Sequence, residues 1–155
     1  LITIGGTGQP EGDAVHLEKQ LSVQCRDKNR DLERMFKVLK KENISLRAID
    51  LCGPAEVSLV RIVADFHTGA KKALKKAGFW YSETNVVGVE VGDSPGALEF
   101  FIRKMVEDKI TINYAYGSIG SWGGPALIVM HIDNPEETLE RVQTEFAAES
   151  KTKKI

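Results

Sequence analysis

The chain has 155 residues, of which 42% are hydrophobic, enough to build the core of one ordinary domain or of two small ones. Its 21 Lys and Arg nearly balance 22 Asp and Glu for a formal charge of −1, so no overall field draws nucleic acid or an anionic membrane. No apolar run approaches the roughly 18 residues of a membrane span and no charged-then-apolar leader ends in a cleavage site, which together predict a soluble, cytoplasmic protein without nucleic-acid or membrane partners.

In chain order, residues 1–13 read as a flexible leader. Gly5-Gly6-Thr7-Gly8 invites a phosphate-loop reading, but no Gly-Lys-Ser/Thr follows it and no helical pattern opens there. A strand-like stretch from Ala14 to Cys25 leads into a helix in which Leu32, Met35, Phe36 and Leu39 form an apolar stripe at i, i+3, i+4 and i+7. Ile44, Leu46 and Ala48 alternate with Ser45 and Arg47 as a half-buried strand does, and Val57 to Val63 is more continuously apolar, as expected of a strand inside a sheet. Ala70, Ala73, Leu74 and Ala77 mark a second helix, on which Lys71, Lys72, Lys75 and Lys76 form a solvated face.

The same order then repeats. Asp27 and Asp93 lie 66 residues apart, and at that offset Leu32, Met35, Phe36 and Leu39 fall on Leu98, Phe101, Ile102 and Met105, while Ile44 and Leu46 fall on Ile110 and Ile112. Farther on, Asp65 pairs with Asp133 at an offset of 68. Ile110, Ile112 and Tyr114 alternate with Thr111 and Asn113, Ala126 to Ile132 is the second inner strand, and Leu139, Val142 and Phe146 mark the closing helix. Each copy reads as strand, helix, strand, strand, helix. Trp80 to Val91 is one long strand-like segment that finishes the first copy and opens the second. The predicted domains are therefore 14–83 and 84–150, with 151–155 a tail. The tail carries no convincing strand, so Ala14 to Leu21 is expected to supply the fourth strand that the second copy lacks.

Between first strand and first helix, the second copy reads Gly92-Asp93-Ser94-Pro95-Gly96-Ala97-Leu98. Ser94 is a favoured N-cap, Pro95 suits the first helical position, and Gly96 has no side chain to keep a ligand from the free N–H groups of the first turn. Such a turn holds a carboxylate. The same residues also make an ordinary helix start, with Asp93 an acid at the positive end of the helix dipole.

An Asp-x-Pro-Gly-x-Leu turn in a βαββαβ unit, present with its helix and strands in two copies, resembles the ACT domain, and residues 17–147 resemble a tandem ACT protein. The resemblance implies an α+β chain of two ferredoxin-like units, each with an antiparallel sheet ordered 4-1-3-2 and both helices on one face. It implies a non-catalytic regulatory protein that binds an amino acid or similar small effector where two ACT units meet, acts on amino-acid metabolism and forms a homodimer. The alternative is a ligand-free dimerisation or interaction module that docks to a metabolic enzyme.

The resemblance places the effector on Asp93, Ser94, Pro95, Gly96, Ala97 and Leu98, with Asp93 accepting from an ammonium and the Gly96 and Ala97 amides receiving a carboxylate. In the first copy Asn29 and Arg30 stand where Pro95 and Gly96 do. There Arg30 either blocks the approach or pairs with an effector carboxylate. Ser45 is the polar residue expected to complete the second copy's site from the neighbouring unit, and Tyr116, on the same face as Tyr114, either borders an effector pocket or is ordinary sheet packing. The longer loop Gly117 to Pro125 carries Trp122, either a lid or partner anchor or a residue packed on the sheet edge.

Nothing in the sequence argues for an enzyme, a cofactor or a metal. The chain has two cysteines and three histidines, with no Cys-x-x-Cys pair and no His-x-x-x-His or Glu-x-x-His arrangement; Cys25 and Cys52 are expected to be buried free thiols.

Overall fold

The computed structural model describes residues 14–53, 58–91, 97–118 and 126–141. Its elements are β1 (Ala14–Cys25), α1 (Lys28–Lys41), β2 (Leu46–Cys52), β3 (Ser58–Ala64), α2 (His67–Lys76), β4 (Tyr81–Val91), α3 (Ala97–Glu107), β5 (Ile112–Ser118) and β6 (Ala126–Ile132). A final helix, α4, occupies 135–141 of the described residues. The chain divides into two compact units, one spanning Lys19–Thr84 and the other taking residues 14–18 with the chain from Asn85 onward.

In the first unit the strand order is β2-β3-β1-β4. Numbered along that unit it is 4-1-3-2 read backwards, the expected ferredoxin-like order. β1 pairs antiparallel to β3 from Gln20↔Val63 to Cys25↔Ser58, and β2 is antiparallel to β3 on its other side. Alternation along β1 sends Leu21, Val23 and Cys25 toward the helices, where they meet Met35, Leu39, Ala70, Leu74 and Phe79 in one buried cluster. Gln20, Ser22 and Gln24 point to the opposite face.

The second unit has the order β1-β4-β6-β5. It reaches 4-1-3-2 because residues 14–18 act as its fourth strand. Val15 is buried with Val87, Val89, Val91, Phe101, Met105, Met130 and Ile132. The expectation for Ala14 to Leu21 holds for the part through Glu18; Leu21 packs in the first unit's core.

Helices α1, α2 and α3 end alike. Asn43, Gly78 and Lys109 each take a left-handed conformation, with φ of 54°, 79° and 56°. The next residue in each case, Ile44, Phe79 or Ile110, sends its N–H back to Leu39, Leu74 or Met105 and turns an apolar side chain under the helix. This double-bonded C-terminal cap satisfies carbonyls that would otherwise be orphaned.

Several expectations are corrected. Phe36 and its counterpart Ile102 were assigned to the core stripes, but both are exposed, as is Leu98. With about 100° between successive helical residues, a face centred between Met35 and Leu39 leaves Phe36 on its rim. Second, Ile112 and Tyr114 do not share a face. The ladder shifts register between Ile112 and Tyr114, and at the equivalent place between Leu46 and Ala48, so Ile112 faces the helices and Tyr114 the opposite side. Third, Cys52 is only half-buried, and Gly117 and Ser118 belong to β5 rather than to a loop. Val57, Val142, Phe146, Trp122 and Gly5 to Gly8 lie outside the described residues.

Candidate functional site

In the first unit the turn from β1 to α1 is closed by two carboxylates of its own. Asp27 is the N-cap, and its Oδ1 accepts the Arg30 N–H at 3.1 Å. Asp31 Oδ2 reaches back to the N–H of Arg26 at 2.8 Å and of Asp27 at 3.3 Å. Arg34 sits 3.2 Å from the other Asp31 oxygen and also lies over the Phe79 ring, 4.2 Å from its centroid. Asp31 is thus held by a cation that is itself fixed on the core.

The buried Cys25 lies beneath this turn. Its thiol is pushed above its ordinary range, first by burial and then by the charge of Asp31. The Arg30 side chain is largely exposed, with Nε 3.6 Å from Asp27 Oδ2, so it lies along its own cap. The amides of residues 26, 27 and 30 are spent on the chain's own acids.

The second copy carries different residues at these positions. Gly96 replaces Arg30 and Ala97 replaces Asp31, so the acid that draws in the two amides just ahead of the helix has no counterpart. Asp93, Ser94, Pro95 and Gly96 lie outside the described residues. On either side, β4 ends at Val91 with its side chain buried, and α3 starts at Ala97 with Leu98 exposed.

The other predicted site residues fall in separate places. Ser45, in the first unit, is locked by its backbone to Asp65: its N–H donates to Asp65 Oδ1 at 3.0 Å and its carbonyl accepts from Asp65 N at 3.0 Å. Tyr116, in the second unit, is on the face away from the helices. There it stacks on Tyr114, with ring centroids 6.5 Å apart, and Tyr114 stacks on His131 at 4.9 Å. Asn113 ties the same corner together by donating to Asp133 Oδ1 at 3.0 Å. The structure joins Tyr116 to an aromatic row that the sequence reading left as two tyrosines, because the partner His131 comes from another strand.

A family model described as an ACT domain pair matches residues 17–154. The chain belongs to the ACT family. As an ACT pair it is similar to protein BT0572 from Bacteroides thetaiotaomicron, at 28% identity over 84% of this chain and 90% of that one, with a TM-score of 0.75. The regulatory subunit of aspartate kinase from Thermus thermophilus, in its ligand-free form, superimposes with a TM-score of 0.56 at 16% identity, covering 86% of this chain and 95% of that one. The corresponding subunit from Thermus flavus gives 0.58 at 15% identity, over 88% and 95%. These two likenesses establish the shared fold. No curated protein matches the chain in sequence.

Within the ACT pair, no group of three or more His, Cys, Asp or Glu among the described residues has the arrangement of a metal site. No described helix is long and apolar enough to cross a membrane. The residue that the sequence reading missed is Asp31. Its signal was present in the alignment of the two copies, as an acid four places after the N-cap in one and an alanine in the other.

Proposed function

We propose that this ACT pair is a non-catalytic sensor that binds an amino acid or a similar zwitterion at residues 93–98 and thereby controls an enzyme of amino-acid metabolism. The observation that carries this reading is the contrast between Asp31 and Ala97. In the first unit an internal carboxylate, Asp31, closes the turn by accepting the N–H groups of residues 26 and 27 just ahead of the helix, and Arg30 covers the approach. In the second copy both side chains are gone, and a carboxylate from outside the chain is the proposed occupant of the turn. In this reading Asp93 accepts from the effector's ammonium, while the Gly96 and Ala97 amides take its carboxylate. Ser45 and Tyr116 are candidates to line the rest of the pocket in the assembled protein.

Regulation follows by linkage. An effector that binds one arrangement of the ACT units more tightly than another shifts the population toward it, and a partner that distinguishes the two arrangements feels the shift.

The test is thermal unfolding of ligand-stripped protein against each common amino acid at millimolar concentration, beside Gly96→Arg. Saturation at about a hundred times Kd adds roughly 2.7 kcal/mol, a rise of several degrees. A rise with one or two amino acids that Gly96→Arg abolishes supports the reading; no rise with any amino acid overturns it.

The second reading is an interaction module that carries no ligand and docks to a metabolic enzyme or to its own copy. It is favoured by α3, where Leu98, Ile102 and Val106 recur every four residues and are all exposed. Beside that stripe Arg103 pairs with Glu99 and Glu107 at 3.2 and 3.5 Å. An apolar stripe edged by charge suits a helix-face contact.

A further inference from the structure

A cavity of about 480 Å³ opens in the first unit, lined by Ser22, Ser58, Cys52, Leu59 and Trp80 together with Gln24, Gly53, Tyr81 and Ser82. It includes none of residues 26–31. It opens at the face of the sheet turned away from the helices, to which alternation sends Ser22 and Gln24.

Trp80 forms a wall of this cavity for a local reason. Gly78 ends α2 in the left-handed conformation, Phe79 turns into the core, and alternation then turns Trp80 outward. Its carbonyl accepts the Gln24 N–H at 2.9 Å, which fixes the backbone of the tryptophan to β1. Its side chain is nevertheless 76% exposed, an indole held on a rigid strand end with its surface free. The floor is equally fixed. Arg61 Nη1 donates to Asp50 Oδ2 and to Cys52 Sγ, both at 2.6 Å, and Cys52 Sγ donates to Asp50 Oδ2 at 2.9 Å. This closed triad holds the Cys52 side chain in one position and cancels the two charges against each other behind it.

The polar chemistry facing the cavity is neutral: hydroxyls, one amide and one thiol, with no charged residue among the described lining. Ser22 is 92% buried and accepts the Nε2–H of the fully buried Gln20 at 3.0 Å, so its own hydroxyl proton is left to donate. A volume in the small-molecule range, an aromatic wall and a few placed polar groups are the features of a ligand pocket.

We infer that this cavity is a second small-molecule site, distinct from the 93–98 turn, which takes a neutral planar ring bearing a hydrogen-bond acceptor. The ring stacks on Trp80 and the acceptor takes the Ser22 hydroxyl proton. A zwitterion fits poorly, because neither of its charges meets a counter-charge among the described lining residues.

The test is an NMR titration of the full chain with benzamide, nicotinamide and adenine, following the Trp80 indole N–H and the Ser22, Cys52 and Ser58 amides. At least one probe is expected to give a saturable shift at all four. Trp80→Ala should abolish it, Trp80→Phe should retain part, and Ser22→Ala should weaken it by about fivefold with Ser22→Thr restoring it. Benzoate and glycine should leave these resonances in place, and Gly96→Arg should not alter probe binding, which separates this site from the amino-acid site. No saturable shift with any of the three probes, a shift that survives Trp80→Ala, or displacement of the probe by glycine each overturns the inference.

Discussion

Asp31 Oδ2 accepts the Arg26 N–H at 2.8 Å, across the turn that joins β1 to α1. One carboxylate side chain thereby closes the turn of the first unit, at a position where the second copy carries Ala97. The relationship can be exchanged between copies by single substitutions. Ala97→Asp should install an internal carboxylate and remove the thermal response to amino acids without lowering the melting temperature of the free protein. Asp31→Ala should cost about 1 kcal/mol, or about 3 °C for a chain of this length. Differential scanning calorimetry with and without effector reads both outcomes. An undiminished amino-acid response in Ala97→Asp would remove the basis of the proposed site.

Glu83, on β4, is the hub of a charge cluster in the first unit. His67 Nε2 and Lys71 Nζ lie 2.8 and 2.7 Å from its Oε2, and Lys19 Nζ lies 3.3 Å from its Oε1. These partners, Lys71 first and His67 next, hold the carboxyl down at about 2 from the usual 4.5. A folded-state pKa lowered in this way contributes stability that is complete above about 4.5 and is lost as pH falls toward 2. The cluster is partly open to solvent, so screening limits the gain from Glu83 to about 1 kcal/mol. The difference in urea midpoint between wild type and Glu83→Gln should therefore be present at pH 6 and vanish near pH 2. A difference that persists unchanged at low pH would show that packing, not charge, sets it.

Much of this was legible because it follows from local periodicity. The helical stripes, the inner strands and the duplication can be read from Met35 and Leu39 against Phe101 and Met105, since burial of one helix face demands that spacing. The use of residues 14–18 by the second unit was legible as well, from a tail whose sequence shows no strand pattern. What escaped depends on register. One extra residue between Leu46 and Ala48, and between Ile112 and Tyr114, reverses the faces that follow, and apolar alternation alone does not reveal a bulge. The Ser22–Trp80 cavity escaped for a similar reason, because it joins residues of four strands spread from β1 to β4. The proposed effector turn at Asp93 to Gly96 was legible only as chemistry, with N-cap, proline and glycine in order.

Gly88 illustrates a constraint that arises only in three dimensions. In the second unit a Cβ at this position would lie 2.8 Å from Glu18 Cγ and 3.0 Å from His16 Nε2. Those two side chains are bonded to each other at 2.8 Å and nearly buried, so neither moves aside freely. Gly88→Ala should destabilise the fold by about 1–3 kcal/mol through overpacking, whereas strand propensity alone predicts a small gain. Chemical denaturation decides between the two signs. A stabilised variant would mean that the His16–Glu18 pair yields without cost.

Lys109 occupies a left-handed position, φ 56°, that Gly78 fills at the end of α2. The Cβ of a lysine is strained there, by about 1 kcal/mol, and the two return bonds from Lys109 and Ile110 keep the conformation in place. Lys109→Gly should stabilise the chain by about 0.5 kcal/mol, the relief of strain being partly offset by the greater freedom of glycine in the unfolded chain. Lys109→Val, with a β-branched side chain, should destabilise it. Equal melting temperatures for the two variants would contradict the assigned conformation.

Cys52 makes the last prediction, because its reactivity is set by a carboxylate rather than by burial. Its thiol donates to Asp50, and that bond is the largest cause that raises its pKa, ahead of desolvation, while Arg61 pulls in the other direction. The thiolate, which is the nucleophile, is correspondingly scarce at neutral pH despite partial exposure. Asp50→Asn removes the charge that favours the protonated thiol and leaves Arg61 to favour the thiolate. Labelling of Cys52 by an aromatic disulfide reagent at pH 7.5 should therefore be slow in the wild type and faster in Asp50→Asn, with Arg61→Gln shifting the rate the opposite way. Cys25, fully buried beneath the α1 turn, should stay unlabelled in all three unless the protein unfolds. Identical rates at Cys52 across the series would show that access, not the Asp50 bond, limits the reaction.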